Sequence, residues 1–297
     1  NNNQLTYLNM KNGVTDALTT FYVTNNSLTC IEVNAEDIDY ATENWTYENG
    51  NIDEGVTFQE IGCQTINIPA DYSTIQAGID AAYEGATVLV AAGTYVENII
   101  WPGNTNGIKL IGEDRETTII DGGAQQTVIQ ISSSSIDTST LINGFTITNG
   151  SGGNGGGIFC INSSPSLVNL TISGNVASSG GGISCYNSSS PRLENVTISD
   201  NVASFGGGVY CQVSTPSFEN VTISGNSCSE KGAGVHCYLS NPIFENVTIS
   251  GNVAGTGGGG MSCDESSPSL VDVMISDNVA NTGAGGMHCY GDSSPSL

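Results

Sequence analysis

Apolar and polar residues alternate with period two in Val196-Thr-Ile-Ser199 and in Gly208-Val-Tyr-Cys211. That alternation puts one set of side chains on each face of a strand, and it does not suit a helix. The residues between such runs are Gly, Asn, Asp, Ser and Pro, which make turns and stop helices. From about Gly150 the whole pattern recurs every 25 or 26 residues. Glu194-Asn-Val-Thr-Ile-Ser-Asp-Asn201 has counterparts at Val168 to Asn175, Glu219 to Asn226, Glu245 to Asn252 and Val271 to Asn278. Prolines keep the beat at Pro165, Pro191, Pro216, Pro242, Pro268 and Pro295. Cysteines keep it at Cys160, Cys185, Cys211, Cys237, Cys263 and Cys289. A fixed period of this length means a solenoid, whose units cannot bury their apolar faces alone.

About three short strands per repeat, no helix, and an in-register copy one period later describe one coil of a parallel β-helix. Successive coils then hydrogen-bond as parallel strands roughly 4.8 Å apart, with like residue on like. Ile183, Val209, Val235, Met261 and Met287 form one expected interior column. Val196, Val221, Val247 and Val273 form a second, beside Ile172, Ile198, Ile223, Ile249 and Ile275. Inward Asn175, Asn201, Asn226, Asn252 and Asn278 would pass amide hydrogen bonds from coil to coil at a bend. The six column cysteines are expected as mostly inward free thiols, since parallel in-register neighbours rarely offer disulfide dihedrals. Cys228 stands where Ala177, Ala203, Ala254 and Ala280 stand in other coils, and reads as a small-residue substitute.

Ahead of the regular coils the pattern loosens. Ser73-Thr-Ile-Gln76 reads as a capping box, and Ile75, Ile79 and Ala82 make one apolar stripe. A helix over 73–84 is expected there, covering the first open coil. Strands follow at Thr87 to Val90, Ile108 to Ile111, Thr117 to Ile120, Val128 to Ile131 and Gly144 to Thr148. Residues 1–63 keep a different beat. Leu5-x-x-Leu8-x-Met10, Leu18-x-x-Phe21-x-Val23 and Leu28-x-x-Ile31-x-Val33 share an L-x-x-L-x-L spacing, which sets three apolar groups on the inner side of a short strand.

Two resemblances emerge from these residues. Residues 1–63 look like the final turns of a bacterial leucine-rich repeat. Asn34 to Glu60 resembles the tail that closes such repeats in surface proteins of gliding Gram-negative bacteria. In that family a cysteine like Cys30 and a later one like Cys63 bracket the cap, which implies a disulfide worth about 3 kcal/mol; two buried thiols are the alternative. Ile75-Gln-Ala, Gly85-Ala-Thr-Val-Leu-Val, Ala92-Gly-Thr-Tyr-Val-Glu97 and Thr118-Ile-Ile-Asp-Gly122 resemble the opening of pectin-lyase-like right-handed β-helix proteins, pectin methylesterases in particular. The Gly-Gly-Gly-Ile-x-Cys coils resemble repeats of large bacterial surface β-helix proteins. The expected organisation is therefore a leucine-rich-repeat end with an acidic cap over 1–66, then an all-β, right-handed parallel β-helix over 67–297 with regular coils from about 141. These motifs specify a fold well and an activity poorly.

Charge narrows the function classes. Five Lys and Arg stand against 29 Asp and Glu, a formal net charge of −24. Nucleic-acid binding needs a basic footprint and is excluded; anionic lipid is disfavoured in the same way. No run of 18 apolar residues exists to insert in a membrane. Asn1 is not a natural start and Leu297 stops one step into a coil, so the sequence reads as an excerpt of a longer, exported chain.

No catalytic residues are assigned. The resemblance to pectin-active enzymes would bring paired aspartates with an arginine, a Gly-His-Gly, or a basic residue with calcium-binding carboxylates, and none of these motifs is present. After Arg115 the only cations are Arg192 and Lys231. An outward row of Glu194, Glu219 and Glu245, with Asp272 one column over, is a weak calcium candidate and otherwise solvated charge; no other metal or cofactor is implied. His236 and His288 share an outward column, roughly 10 Å apart and too far for a common zinc ion, so both are expected at the surface. With Phe159, Tyr186, Tyr210, Tyr238 and Tyr290 they make a ribbon that is either ordinary cover for the sheet or a surface able to stack on sugar rings. Thr/Ser files at 146/148, 171/173, 197/199, 222/224 and 248/250 resemble those of ice-binding proteins, though Met274 interrupts them. The four Asn-x-Thr sequons in the repeat read as strand residues.

The expectation is a non-catalytic extracellular rod, structural and adhesive, within a large surface adhesin or filament of a Gram-negative bacterium. Its partners would be cell-surface glycans or another extracellular ligand, with further coils or a second subunit stacked on its C-terminal end. The alternative is a carbohydrate-binding or polysaccharide-active β-helix with its site outside this segment, and ice binding is a lesser one.

Overall fold

The computed structural model describes residues 5–11, 18 and 20–297. Residues 1–4, 12–17 and 19, within the expected N-terminal unit, lie outside that set. From Thr65 onward the chain winds as a parallel β-helix whose coils visit four sheets in turn, not the three strands expected. In one regular coil the first sheet takes Arg192–Glu194, the second Thr197–Ser199, the third Val202–Ala203 and the fourth Val209–Gln212. The first sheet has nine strands, the second and fourth eight each, and the third six. The third is the one the sequence pattern hides. Its strands are Val-Ala-Ser-Ser and Val-Ala-Gly-Thr-Gly-Gly segments, small and mostly polar, which read as turn.

Register is even. Leu141 pairs with Ser166, then Arg192, Ser217, Ile243 and Ser269 in succession, in steps of 25, 26, 25, 26 and 26 residues. Ile172, Ile198, Ile223 and Ile249 are fully buried and stack in register, as do Ile183, Val209, Val235 and Met261. Val196, Val221 and Val247 are buried beside them. A further core column runs Leu167, Leu193, Phe218, Phe244 and Leu270; the rings of Phe218 and Phe244 stack at 4.6 Å and 8°.

Two corners explain the repeat's spelling. Between the first and second sheets Asn169, Asn195, Asn220, Asn246 and Asp272 all take the left-handed conformation, with φ of 50–55°. Asn and Asp tolerate it better than other residues with a Cβ. The sequon asparagines are therefore turn residues, and only the sequon threonines lie in strands. The Gly-Gly-Gly run makes the other corner. Gly180 has φ +65°, and a Cβ there would strike the Ile183 carbonyl; a Cβ on Gly182 would sit 2.7 Å from the Gly208 oxygen of the next coil.

The helix at the start of the solenoid is shorter than expected, Ile75–Asp80, and buries Ile75 and Ile79. Its cap differs too. Thr74, not Ser73, caps it, Oγ1 accepting from Ala77 N at 3.2 Å, while Glu97 from the next coil accepts from Ile75 N and Gln76 N at 2.9 Å each. Gln76 is consequently free to receive Ile100 N on its Oε1 at 2.7 Å. A neighbouring carboxylate satisfies the first-turn donors better than a capping box could.

The N-terminal region has its own core around Phe21, Ile31, Val33, Trp45 and Ile52, with Phe21 stacked on Trp45 at 4.2 Å. The three apolar triplets do not stack in chain order. Asn9 bridges Glu32, and Cys30–Glu32 pairs with Thr57–Gln59, whereas Val23 bridges Ile52. The middle triplet thus lies on the opposite side of the turn from the other two. Glu32 is only 2% exposed, and its carboxylate ties this region to the segment that leads into the solenoid. Its Oε1 accepts from Gly62 N and Cys63 N at 3.0 and 3.1 Å, and its Oε2 from Tyr7 and Asn9 at 2.8 and 2.9 Å. Cys63 is disulfide-bonded to Cys30.

Ile198→Asp should lower the unfolding free energy by more than about 4 kcal/mol, because it buries an unpaired carboxyl between Ile172 and Ile223. Urea denaturation of the variant, followed by circular dichroism, reads this directly; an unchanged midpoint would show that Ile198 does not face the core.

Candidate functional site

The inner polar columns come first because they hold every outer face in place. Asn175, Asn201, Asn226 and Asn252 are fully buried. Each Oδ1 from Asn201 on accepts both the backbone N–H and the Nδ2 of the asparagine one coil back, at 2.9–3.0 Å, through to Asn278. Each Nδ2 also donates to an isoleucine carbonyl, as Asn201 does to Ile172 at 2.9 Å. A second ladder, absent from the expectations, is built of serine. The backbone N–H of Ser163, Ser189, Ser214, Ser240 and Ser266 each donates to the next coil's serine hydroxyl at 3.0–3.2 Å. Its signal was in plain sight, a serine two places before each proline of the repeat.

Cys160, Cys185, Cys211, Cys237 and Cys263 are buried as free thiols, and Cys289 is an exposed one. Burial pushes the Cys160 thiol well above its ordinary value. Cys228 is buried in the third sheet between Ala203 and Ala254, and burial raises its thiol to about 11. At Cys160 and Cys228 burial therefore disfavours the thiolate.

Outside, Glu194, Glu219 and Glu245 are in register in the first sheet. The calcium reading does not survive their surroundings. Arg192 lies between two of them, 2.7 Å from Glu194 and 2.9 Å from Glu219, so a cation of the chain already fills that place. Asp272 is a turn residue, and Val271 instead continues the Glu column. Among the described residues no group of three or more His, Cys, Asp or Glu side chains could hold a metal ion. The Thr/Ser files run unbroken on the second sheet from Thr146 and Thr148 to Thr248 and Ser250, where Met274 succeeds Thr248.

The aromatic and histidine ribbon is not one open surface. One outward column of the fourth sheet runs Ile100, Gln130, Phe159, Ser184, Tyr210, His236, Ser262, His288. Ile100 is 63% exposed, yet Ser184, Tyr210, His236 and Ser262 are buried. The third sheet folds over them. Phe205, bridged to Ser179 of that sheet, stacks on His236 at 5.7 Å, and Tyr210 meets the same imidazole edge-on at 5.3 Å. His236 is therefore a buried residue, against the surface position expected, and neither of its ring nitrogens has a hydrogen-bond partner among the described residues. Burial first, then the charge of Lys231, pulls its imidazole down to about 4, with Asp264 opposing. Lys231 itself pairs with Asp264 at 3.3 Å and lies 4.0 Å from the Tyr290 ring centre. Tyr186, Tyr238 and Tyr290 remain half-exposed two residues along.

Where the cover begins there is a step. The fourth sheet starts at Ile99–Ile100, but the third only at Ser151–Asn154. A cleft of about 460 Å³ opens there, between the 122–128 turn and the start of the third sheet, with Gln130 and Phe159 among its lining residues. No residue lining it is charged.

The family model for the right-handed β-helix region matches residues 85–255. No curated protein matches the chain. Among solved structures, the deglycosylated pectin methylesterase of Aspergillus niger is similar, at 17% identity and a TM-score of 0.39, over 76% of this chain and 86% of that one. A likeness that distant carries nothing about activity.

Two measurements check this geometry. Thiol titration of the unfolded, unreduced chain should find seven free thiols, the six column cysteines and Cys228; finding fewer than three would mean that the columns are oxidised. His236 titrates near 6.5 when unfolded and about 4 when folded, so the unfolded chain binds the extra proton in that window. Its contribution is complete above pH 6.5 and is lost as pH falls toward 4, by about 3 kcal/mol. The difference in unfolding free energy between the natural chain and His236→Phe should shrink by that amount from pH 7 to pH 4. A difference that stays flat would place the imidazole in water.

Proposed function

The chain belongs to the right-handed β-helix family, and from that premise we propose that it is a non-catalytic, extracellular structural and adhesive rod, part of a larger surface adhesin or filament. The observation that carries this reading is the evenness of the coils. From Leu141 to Ser269 each step is 25 or 26 residues, and in the regular coils no link between consecutive strands exceeds five residues. Catalytic residues sit disproportionately on loops held by a rigid scaffold, and coils this even offer little loop to carry them. His236 and Cys228 are perturbed chiefly by burial, and Asp53 and Asp137 chiefly by hydrogen bonds within exposed turns, which is not an acid and a base set apart over a common cleft.

A rod is what such ladders make well. Each coil hydrogen-bonds its whole length to two neighbours, and stability then rises with every coil added. The charge of −24 supports an exterior setting, since it keeps long, like-charged rods from aggregating in salt. The N-terminal region, read as the end and acidic cap of a leucine-rich repeat, would join the rod to what precedes it through the Cys30–Cys63 disulfide and the Glu32 hydrogen bonds. A disulfide at that junction suits an oxidising, extracellular compartment.

Affinity electrophoresis through gels cast with a panel of polysaccharides, followed by product assay, tests the proposal. The expected result is retardation by at least one polymer with no chemical change to it. Release of reducing ends, unsaturated uronates or methanol would overturn the non-catalytic half, and migration unaffected by every polymer would overturn the adhesive half.

A further inference from the structure

We propose that the step at the start of the third sheet is a binding site for one or two units of an uncharged sugar chain. This deepens the adhesive reading and rests on it only for the presence of a glycan ligand. The step exists because two fourth-sheet strands, Ile99–Ile100 and Ile129–Ser132, come before the covering sheet has begun. Along the outward column, exposure therefore falls from Ile100 at 63% through half-buried Gln130 and Phe159 to Ser184 at 0%. A ring and an amide that later coils would bury are left facing a cleft of about 460 Å³, within the roughly 300–1,000 Å³ typical of small-ligand sites.

The walls are fixed. Asn98 donates from Nδ2 to the carbonyls of Gly122, Gln126 and Thr127 at 3.2, 3.3 and 3.2 Å, which holds the turn forming one side. Thr127 Oγ1 donates to Asn154 O at 3.1 Å, and Ser151 N to Gln126 O at 2.9 Å, tying that turn to the first third-sheet strand. Preorganised walls spare a ligand the cost of ordering them. The side-chain amides of Gln126, Gln130 and Asn154 line the cleft and make no hydrogen bond to any described residue. Each offers two N–H donors and a carbonyl acceptor, the complement of vicinal hydroxyls.

Charge decides the ligand class. On a chain of net charge −24, this cleft has neither a carboxylate nor a cation in its lining. It has no charged partner for a uronate, a phosphate or an amine, so the strong charge-assisted hydrogen bonds that hold such groups are not on offer there. Neutral amides beside the half-exposed ring of Phe159 match a molecule with many hydroxyls and one C–H face, as an uncharged pyranose has.

Calorimetric titration of the whole chain with uncharged gluco-, manno- and galacto-oligosaccharides, and with oligogalacturonate as the charged control, tests the site. At least one uncharged oligosaccharide should bind, with affinity falling at least tenfold in Phe159→Ala and in Gln126→Ala. Gln126 sits on an exposed turn, so its variant keeps the test valid if Phe159→Ala disturbs packing against Tyr186. Equal affinity in both variants, or binding of oligogalacturonate alone, overturns the site and leaves the adhesive reading standing. If no sugar binds and no polysaccharide retards the chain, the site and the adhesive reading fall together.

Discussion

Everything in this molecule depends on coils that stay in register, and register is set from the inside by polar groups. Apolar columns alone discriminate weakly against a slide of two residues, which keeps the same face inward, since isoleucine packs nearly as well on valine as on itself. An asparagine inside the corner does not. Asn226 Oδ1 accepts two hydrogen bonds from Asn201 while its own Nδ2 reaches Asn252 and the Ile198 carbonyl. A one-residue slip would leave those buried donors and acceptors unpaired, at about 1–3 kcal/mol each, and turn the strand's apolar face outward as well. The serine ladder repeats the arrangement at the corner between the fourth and first sheets, so two separate corners of each coil enforce one phase.

How much of this the sequence discloses follows from the same cause. Where stacking demands identity, as at Ile198, Asn201 or Pro191, the letters recur and the fold can be read from them. Where stacking demands only small size, the letters vary. Val176-Ala-Ser-Ser179, Val202-Ala203 and Ser227-Cys-Ser-Glu-Lys231 occupy the same sheet, yet no spelling unites them beyond a small residue in second place. That is why a three-strand coil was the natural expectation and the fourth strand was not. The cap of the first helix shows a different limit. Ser73 and Gln76 are well placed for a local box, but Glu97, one coil away, takes the first-turn donors of Ile75 and Gln76, and no local pattern can announce a long-range acceptor.

The hidden sheet in turn decides what the surface is. Period-two alternation correctly assigns Tyr210 and His236 to the outward side of their strand, yet outward there does not mean exposed. Once Phe205 lies over the imidazole, a residue that looked like part of a ligand-stacking ribbon becomes a buried base without a partner. The Glu row meets the converse fate. Its three carboxylates are outward and wet, but Arg192 from the same sheet pairs with two of them, and an exposed pair of this kind contributes little to stability while removing the vacancy that a calcium ion would need.

A solenoid this regular has few places where one coil differs from the next, and differences are where recognition can reside. Uniform faces such as the Thr/Ser files present the same groups at every step and so cannot fix a ligand's position along the rod. The start of the third sheet breaks that translational symmetry, because cover is missing on one side of it and present on the other. There a half-exposed ring and unspent amides meet beside a turn that the Asn98 side chain holds in place. The constraint that makes the regular coils alike therefore leaves that boundary as a place where the outer surface of one coil differs from that of the next.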